Sequence, residues 1–149
     1  MSYTPFDTTL VEARLKAQAP ALREVAGAAE YAAVKELRGF TPPSAFVIFA
    51  DEAPGDTPTG SSLALAVARI GVVIAARNYR AGAGGQLGQE LLEVIAQVRA
   101  ALIGWKPSSN CTTAITWAGG GLMDYDNSTA LYVDTFSLTH ILTPTKVRP

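Results

Sequence analysis

The stretch Val67-Ala-Arg-Ile-Gly-Val-Val-Ile-Ala-Ala-Arg77 constrains the fold more than any other. It reads as the core of a long strand, spanning Leu63 to Arg77, because β-branched residues dominate it. Ile70, Val72 and Ile74 fall on one face, and Arg69, Gly71, Val73 and Arg77 on the other. A strand with so apolar a face must lie in a sheet and be covered. Ser44-Ala-Phe-Val-Ile-Phe-Ala50 supplies a neighbour that is apolar on both faces and therefore central. Thr112-Thr-Ala-Ile-Thr-Trp117 and Leu131 to Leu142 supply two more strands, with Gly119-Gly-Gly121 breaking the first and Met123 to Ser128 forming a polar turn.

The cover comes from helices. Gln86 to Ile103 is the clearest, with Leu87, Leu91, Val94/Ile95, Val98 and Leu102 on one stripe. Gly104 stops it as a C′ glycine, with Pro107 beyond. A first helix begins near Thr9, where Thr9-Leu-Val-Glu12 fits a capping box, and Pro20 ends it. Val25-Ala-Gly27 reads as a short extended piece. Ala28 to Leu37 reads as a short helix rich in good helix formers, and Gly39 with Pro42-Pro43 forces a break. The segments Asp51–Ser62 and Asn78–Gly85 read as loops. The order is α-(α)-β-β-α-β-β, which predicts an α+β fold, a mostly antiparallel sheet flanked by helices, in one domain over 1–149.

Composition narrows the function classes. Hydrophobic residues make up 48% and charged residues 17% of 149, as in a globular chain that can bury a core. A net charge of −1 argues against free-standing nucleic-acid binding through a basic patch. Cys111 is the only cysteine, so neither an internal disulfide nor a thiolate metal site is available. The N-terminus lacks the pattern of a signal peptide, and no apolar run approaches the ~20 residues of a membrane helix. These features predict a soluble protein, made in a cytoplasm, with no membrane partner.

No catalytic constellation emerges. Gly82-Ala-Gly-Gly-Gln-Leu-Gly88 follows a strand and opens a helix, the right place for a phosphate cradle. Its spacing fails the dinucleotide fingerprint at Leu87, and no Gly-Lys-Ser/Thr follows. His140 is the only histidine and shares a face with Phe136, Leu138 and Leu142, which reads as a packed or hydrogen-bonded residue. Asp124, Asp126 and Asn127 lack calcium-loop spacing and read as a solvated turn. Glu90 and Glu93 read as a solvated or intersubunit face. The expectation is a protein that is not an enzyme and holds no cofactor or metal.

The surface candidates are of another kind. Trp105 and Trp117 read as core covers or interface anchors. Arg69, Arg77 and Arg80 read either as solvated edge charges or as intersubunit ion-pair partners. Asp51, Glu52 and Asp56 open the long loop, which exceeds what a tight hairpin needs and invites a contact role. Together, Asp51, Glu52, Asp56, Arg69, Arg77, Arg80 and Trp105 form the candidate subunit or tube interface.

These features, in this order, resemble the tail terminator proteins of long-tailed phages, in particular the Mu-like family of tail completion proteins. The likeness is carried by Val11-Glu-Ala-Arg-Leu15, by Pro42-Pro-Ser-Ala-Phe-Val-Ile48 and by Arg69 to Arg77. Ala101-Leu-Ile-Gly-Trp105 adds to it, as does Gly119-Gly-Gly-Leu122 followed by Tyr132-Val-Asp-Thr-Phe136. The resemblance implies a virion protein at the tail–neck junction, a hexameric ring that stops tail-tube polymerisation and offers a docking surface to the head. Its implied partners are further copies of itself, the tail tube protein, neck or connector proteins and the sheath of a contractile tail. DNA would pass through the lumen without sequence-specific binding. The alternatives are a neck or head-completion connector, or a small nucleotide-binding module on the glycine turn 82–88.

Overall fold

A computed structural model describes residues 3–56, 64–77 and 88–142. Its elements are α1 (Thr9–Gln18), β1 (Glu24–Gly27), α2 (Ala28–Ala33), β2 (Ser44–Pro54), β3 (Ala64–Arg77), α3 (Gln89–Leu102), β4 (Thr116–Tyr125) and β5 (Thr129–Leu142). The sheet order is β1-β2-β3-β5-β4. Only β1 and β2 are parallel; every other pairing is antiparallel. The expected α+β fold is therefore present, with the Val67–Arg77 stretch as the middle strand.

The alternation in β3 assigns the two faces. Ile70, Val72 and Ile74 join Leu91, Val94, Val98 and Leu102 of α3, and Val11 and Leu15 of α1, in the larger core. Val73 and Ala75 face the other way, against Phe46 and Leu131. Tyr31, Phe40 and Phe46 cover that second face with ring centroids 5.5–6.0 Å apart. Gly104 closes α3 with φ of 87°, a conformation glycine adopts without a Cβ penalty, and its N–H donates to Ile115 O.

Several local expectations are corrected. The loop expected from Asp51 is strand as far as Pro54, because a bulge after Phe49 restores pairing with β3 from Asp51↔Arg69 to Pro54↔Ala66. The Thr9/Glu12 capping box does not form. Asp7 Oδ1 instead accepts from the N–H of Thr9 at 3.0 Å. Helix α2 stops at Ala33 and a 3-10 turn follows at Leu37–Gly39. A straight helix would turn Leu37 away from the side that Tyr31 occupies, and the break brings both onto the second core. Residues 112–115 are not strand, and Cys111 just before them forms an isolated bridge with His140. Gly119–Gly121 does not break the chain but lies inside β4, where bulges at Trp117/Gly119 and Leu122/Asp124 keep the ladder to β5. Most of the expected glycine turn lies outside the described residues.

Phe136 is completely buried where β3, β5 and α3 meet. Phe136→Ala is expected to cost about 3–5 kcal/mol, as truncation of a core aromatic does. Urea denaturation should show a lowered midpoint with an unchanged slope.

Candidate assembly interface

Asp134 lies on the helix-covered face of β5 with no exposed surface. A buried carboxylate needs donors, and two elements supply them. From α3, Arg99 Nε donates to Oδ2 at 2.8 Å and Nη2 to Oδ1 at 2.9 Å. From β4, Trp117 Nε1 donates to Oδ1 at 2.9 Å. Arg99 Nη2 also donates to the Tyr132 hydroxyl at 3.2 Å, and its guanidinium sits 4.9 Å from the centroid of the Trp117 ring. Hydrogen bonding to Asp134 holds the Arg99 pKa above its ordinary value, against the opposing effect of burial. Gly120 is required beneath this cluster, since a Cβ there would meet Asp134 Oδ1 and come within 2.6 Å of the Tyr132 hydroxyl.

The cluster fixes α3 on the sheet but leaves the ground beyond it bare. Leu92 and Ile103 lie on the same helical flank as Arg99 and are 46% and 47% exposed. Trp117, Leu122 and Tyr125 pair with Phe136, Tyr132 and Ala130, so they share the sheet face that carries α3. They are 48%, 43% and 62% exposed, so apolar side chains stand open both on the α3 flank and along β4. Among the described residues β4 pairs only with β5, so its outer backbone groups have no sheet partner. Natural edge strands are guarded by lysine, proline, brevity or β-bulges, and of these β4 has the two bulges. It is 10 residues long, contains neither lysine nor proline, and has Asp124 as its sole charge.

The residues singled out from the sequence fall elsewhere. Arg69 and Asp51 form a bidentate pair across β2 and β3, at 2.9 and 2.6 Å, on the face opposite α3. The Arg69 bond pulls Asp51 below the usual carboxylate range. Arg77 Nε donates to Glu90 Oε1 at 2.9 Å, and its backbone N–H to Oε2 at 2.7 Å, tying the end of β3 to the first turn of α3. Glu90 is therefore not simply solvated. Arg69 and Arg77 are not edge charges either, because β3 is central. Glu52 accepts from Phe6 N–H at 2.9 Å and contacts His140 Nε2 at 2.7 Å, so it is engaged within the chain, and His140 is the packed, hydrogen-bonded residue its strand position predicts. Trp105 packs on the larger core with Arg14 stacked 4.9 Å from its ring centroid. Asp56 is exposed just past β2, and Arg80 lies outside the described residues. Asp126 caps its turn by accepting from Ser128 and Thr129 N–H at 2.7 and 2.8 Å, which also lowers its pKa.

The phage tail terminator protein family model matches residues 1–146, which takes in every strand and helix described above. The chain belongs to the phage tail terminator family. It is thus a structural protein of the phage tail. No curated protein matches this tail terminator. No helix among its described residues is long and apolar enough to cross a membrane.

Two predictions follow from these polar ties. Asp134→Ala removes the acceptor of both Arg99 and Trp117. It should destabilise the fold by about 1–3 kcal/mol, the cost of orphaning partly buried donors, measured by chemical denaturation. Glu90 reports through pH. Burial alone would raise its pKa, but the Arg77 side-chain bond, the Arg77 backbone N–H and the Arg77 charge together lower it. Its contribution is therefore present above the ordinary carboxylate pKa and is lost as pH falls through the depressed value. Glu90→Gln should be less stable than the parent at neutral pH, and the two melting curves should converge in acid.

Proposed function

We propose that this protein closes the growing end of a phage tail tube. Copies associate into a hexameric ring on the last tube ring, block addition of further tube subunits, and present their far surface to the neck proteins of the head. The observation that carries this reading is the open apolar edge of β4 beside the α3 flank, in a chain of the tail terminator family. A monomer exposing such a surface is suited to assembly, since a ring needs two different patches that meet head to tail. The exposed Asp51–Arg69 pair on the opposite sheet face and Asp56 beyond β2 remain candidates for tube contact. The net charge of −1 suits a lumen through which DNA passes without being held. The likeness to the Mu-like branch, and with it a contractile tail with a sheath partner at the tail–neck junction, rests on the sequence features given above.

Purified protein mixed with growing tail tubes should leave extra density at one tube end in electron micrographs and halt extension. Tubes that grow on without end density would contradict the reading. Density only on the head connector would replace it with a neck role.

A further inference from the structure

We propose that the β4 edge of one copy receives strand β1 of the next, with β1 lying on the glycine triplet Gly119–Gly121. This rests on the reading that copies of the chain form a ring. Strand sense allows it. β1 is parallel to β2, and the three antiparallel pairings between β2 and β4 leave β1 and β4 running in opposite directions. Joined edge to edge with their helices on the same side, two sheets therefore meet as an antiparallel pair. The two edges differ, so the contact is heterologous and can repeat around a ring.

Gly121 points to the same place. Gly120 is demanded by Asp134 and Tyr132, and Gly119 by its φ of 129°. Gly121 has neither reason: a Cβ there would meet no described residue within 4 Å. A bare strand position open to solvent lets another backbone approach closely.

The faces restrict the register to one parity. Gly120 lies opposite Asp134 on the helix side, while Gly119 and Gly121 lie opposite Thr135 and Val133 on the other. Val25 packs toward the helix-side core and Ala26 toward the second core. Setting Glu24 on Gly121, Val25 on Gly120 and Ala26 on Gly119 matches every face. Arg23 then arrives beside Leu122 on the helix side, with Tyr125 as its diagonal neighbour on that face. Helix α2 follows β1 on the face where Gly119 and Gly121 are bare, and its exposed Ala28, Ala29 and Ala32 leave room for close approach.

The test is a disulfide across that register. Glu24 is exposed and Gly121 faces open space, so Glu24→Cys and Gly121→Cys should both fold, with buried Cys111 as a silent background. The two single variants are mixed on tail tubes and mildly oxidised. A disulfide-linked dimer from the mixture but from neither variant alone is expected. The double variant should give a ladder of linked species ending at the closed ring. A dimer from Gly121→Cys alone would overturn the proposal in favour of β4 pairing with β4. So would a Gly121→Cys product linked only to the tube protein, or capped tubes with no crosslink, although capping would leave the terminator reading standing. The expected crosslink without capping by the parent protein would uphold the pairing and remove the tail-end role. Neither crosslink nor capping would end both.

Discussion

The buried carboxylate of Asp134 organises the side of this molecule that carries the open β4 edge. A charge with no exposed surface survives only if it is met by donors, and here they come from a helix and a neighbouring strand. Arg99 cannot reach Asp134 unless α3 lies at one height over β5. Trp117 cannot reach it unless β4 pairs in one register, and that register forces glycine at 120. One acidic residue thus sets helix position, strand register and the shape of the exposed edge.

The other polar ties hold the opposite flank of the helical layer. Glu90 binds Arg77 at the start of α3, Gln97 accepts from Ala21 N–H at 3.0 Å, and Arg14 donates to Ala101 O at 2.9 Å. These contacts bind α3 to α1 and to the end of β3. The flank facing β4 carries Leu92 and Ile103 without a comparable cover. The asymmetry has a physical consequence. One side of the subunit is finished by its own side chains, and the other exposes apolar surface whose burial would favour association.

Much of the fold was legible in the sequence because periodicity reports burial. The alternation through Ile70, Val72 and Ile74 gave the faces of β3, and the Leu91–Val98–Leu102 stripe gave the buried side of α3. The phage tail terminator resemblance, read from the order of elements, agrees with the family match. The glycine triplet misled, because local propensity disfavours a strand there, whereas the ladder to β5 and the space taken by Asp134 and Tyr132 require one. The interface residues chosen from the sequence were mostly charges. Charges in a single chain look available until a fold shows their partners, as it does for Glu52 with His140 and Arg77 with Glu90. A signal for the exposed apolar edge was present in Trp117, Leu122, Met123 and Tyr125 on a strand with one charge. Asp134 was signalled too, as a lone acid in phase with Tyr132, Phe136 and Leu138.

Hydrogen exchange, comparing the free protein with the protein bound at tube ends, tests the central claim most directly. If β4 is the edge through which copies join, the amides of Thr116–Tyr125 should exchange faster in the free protein and become strongly protected on the tube. The exposed flank of α3 near Leu92 and Ile103 should gain protection with them. Unchanged exchange in β4, with new protection confined to the opposite sheet face around Asp51 and Arg69, would contradict the account.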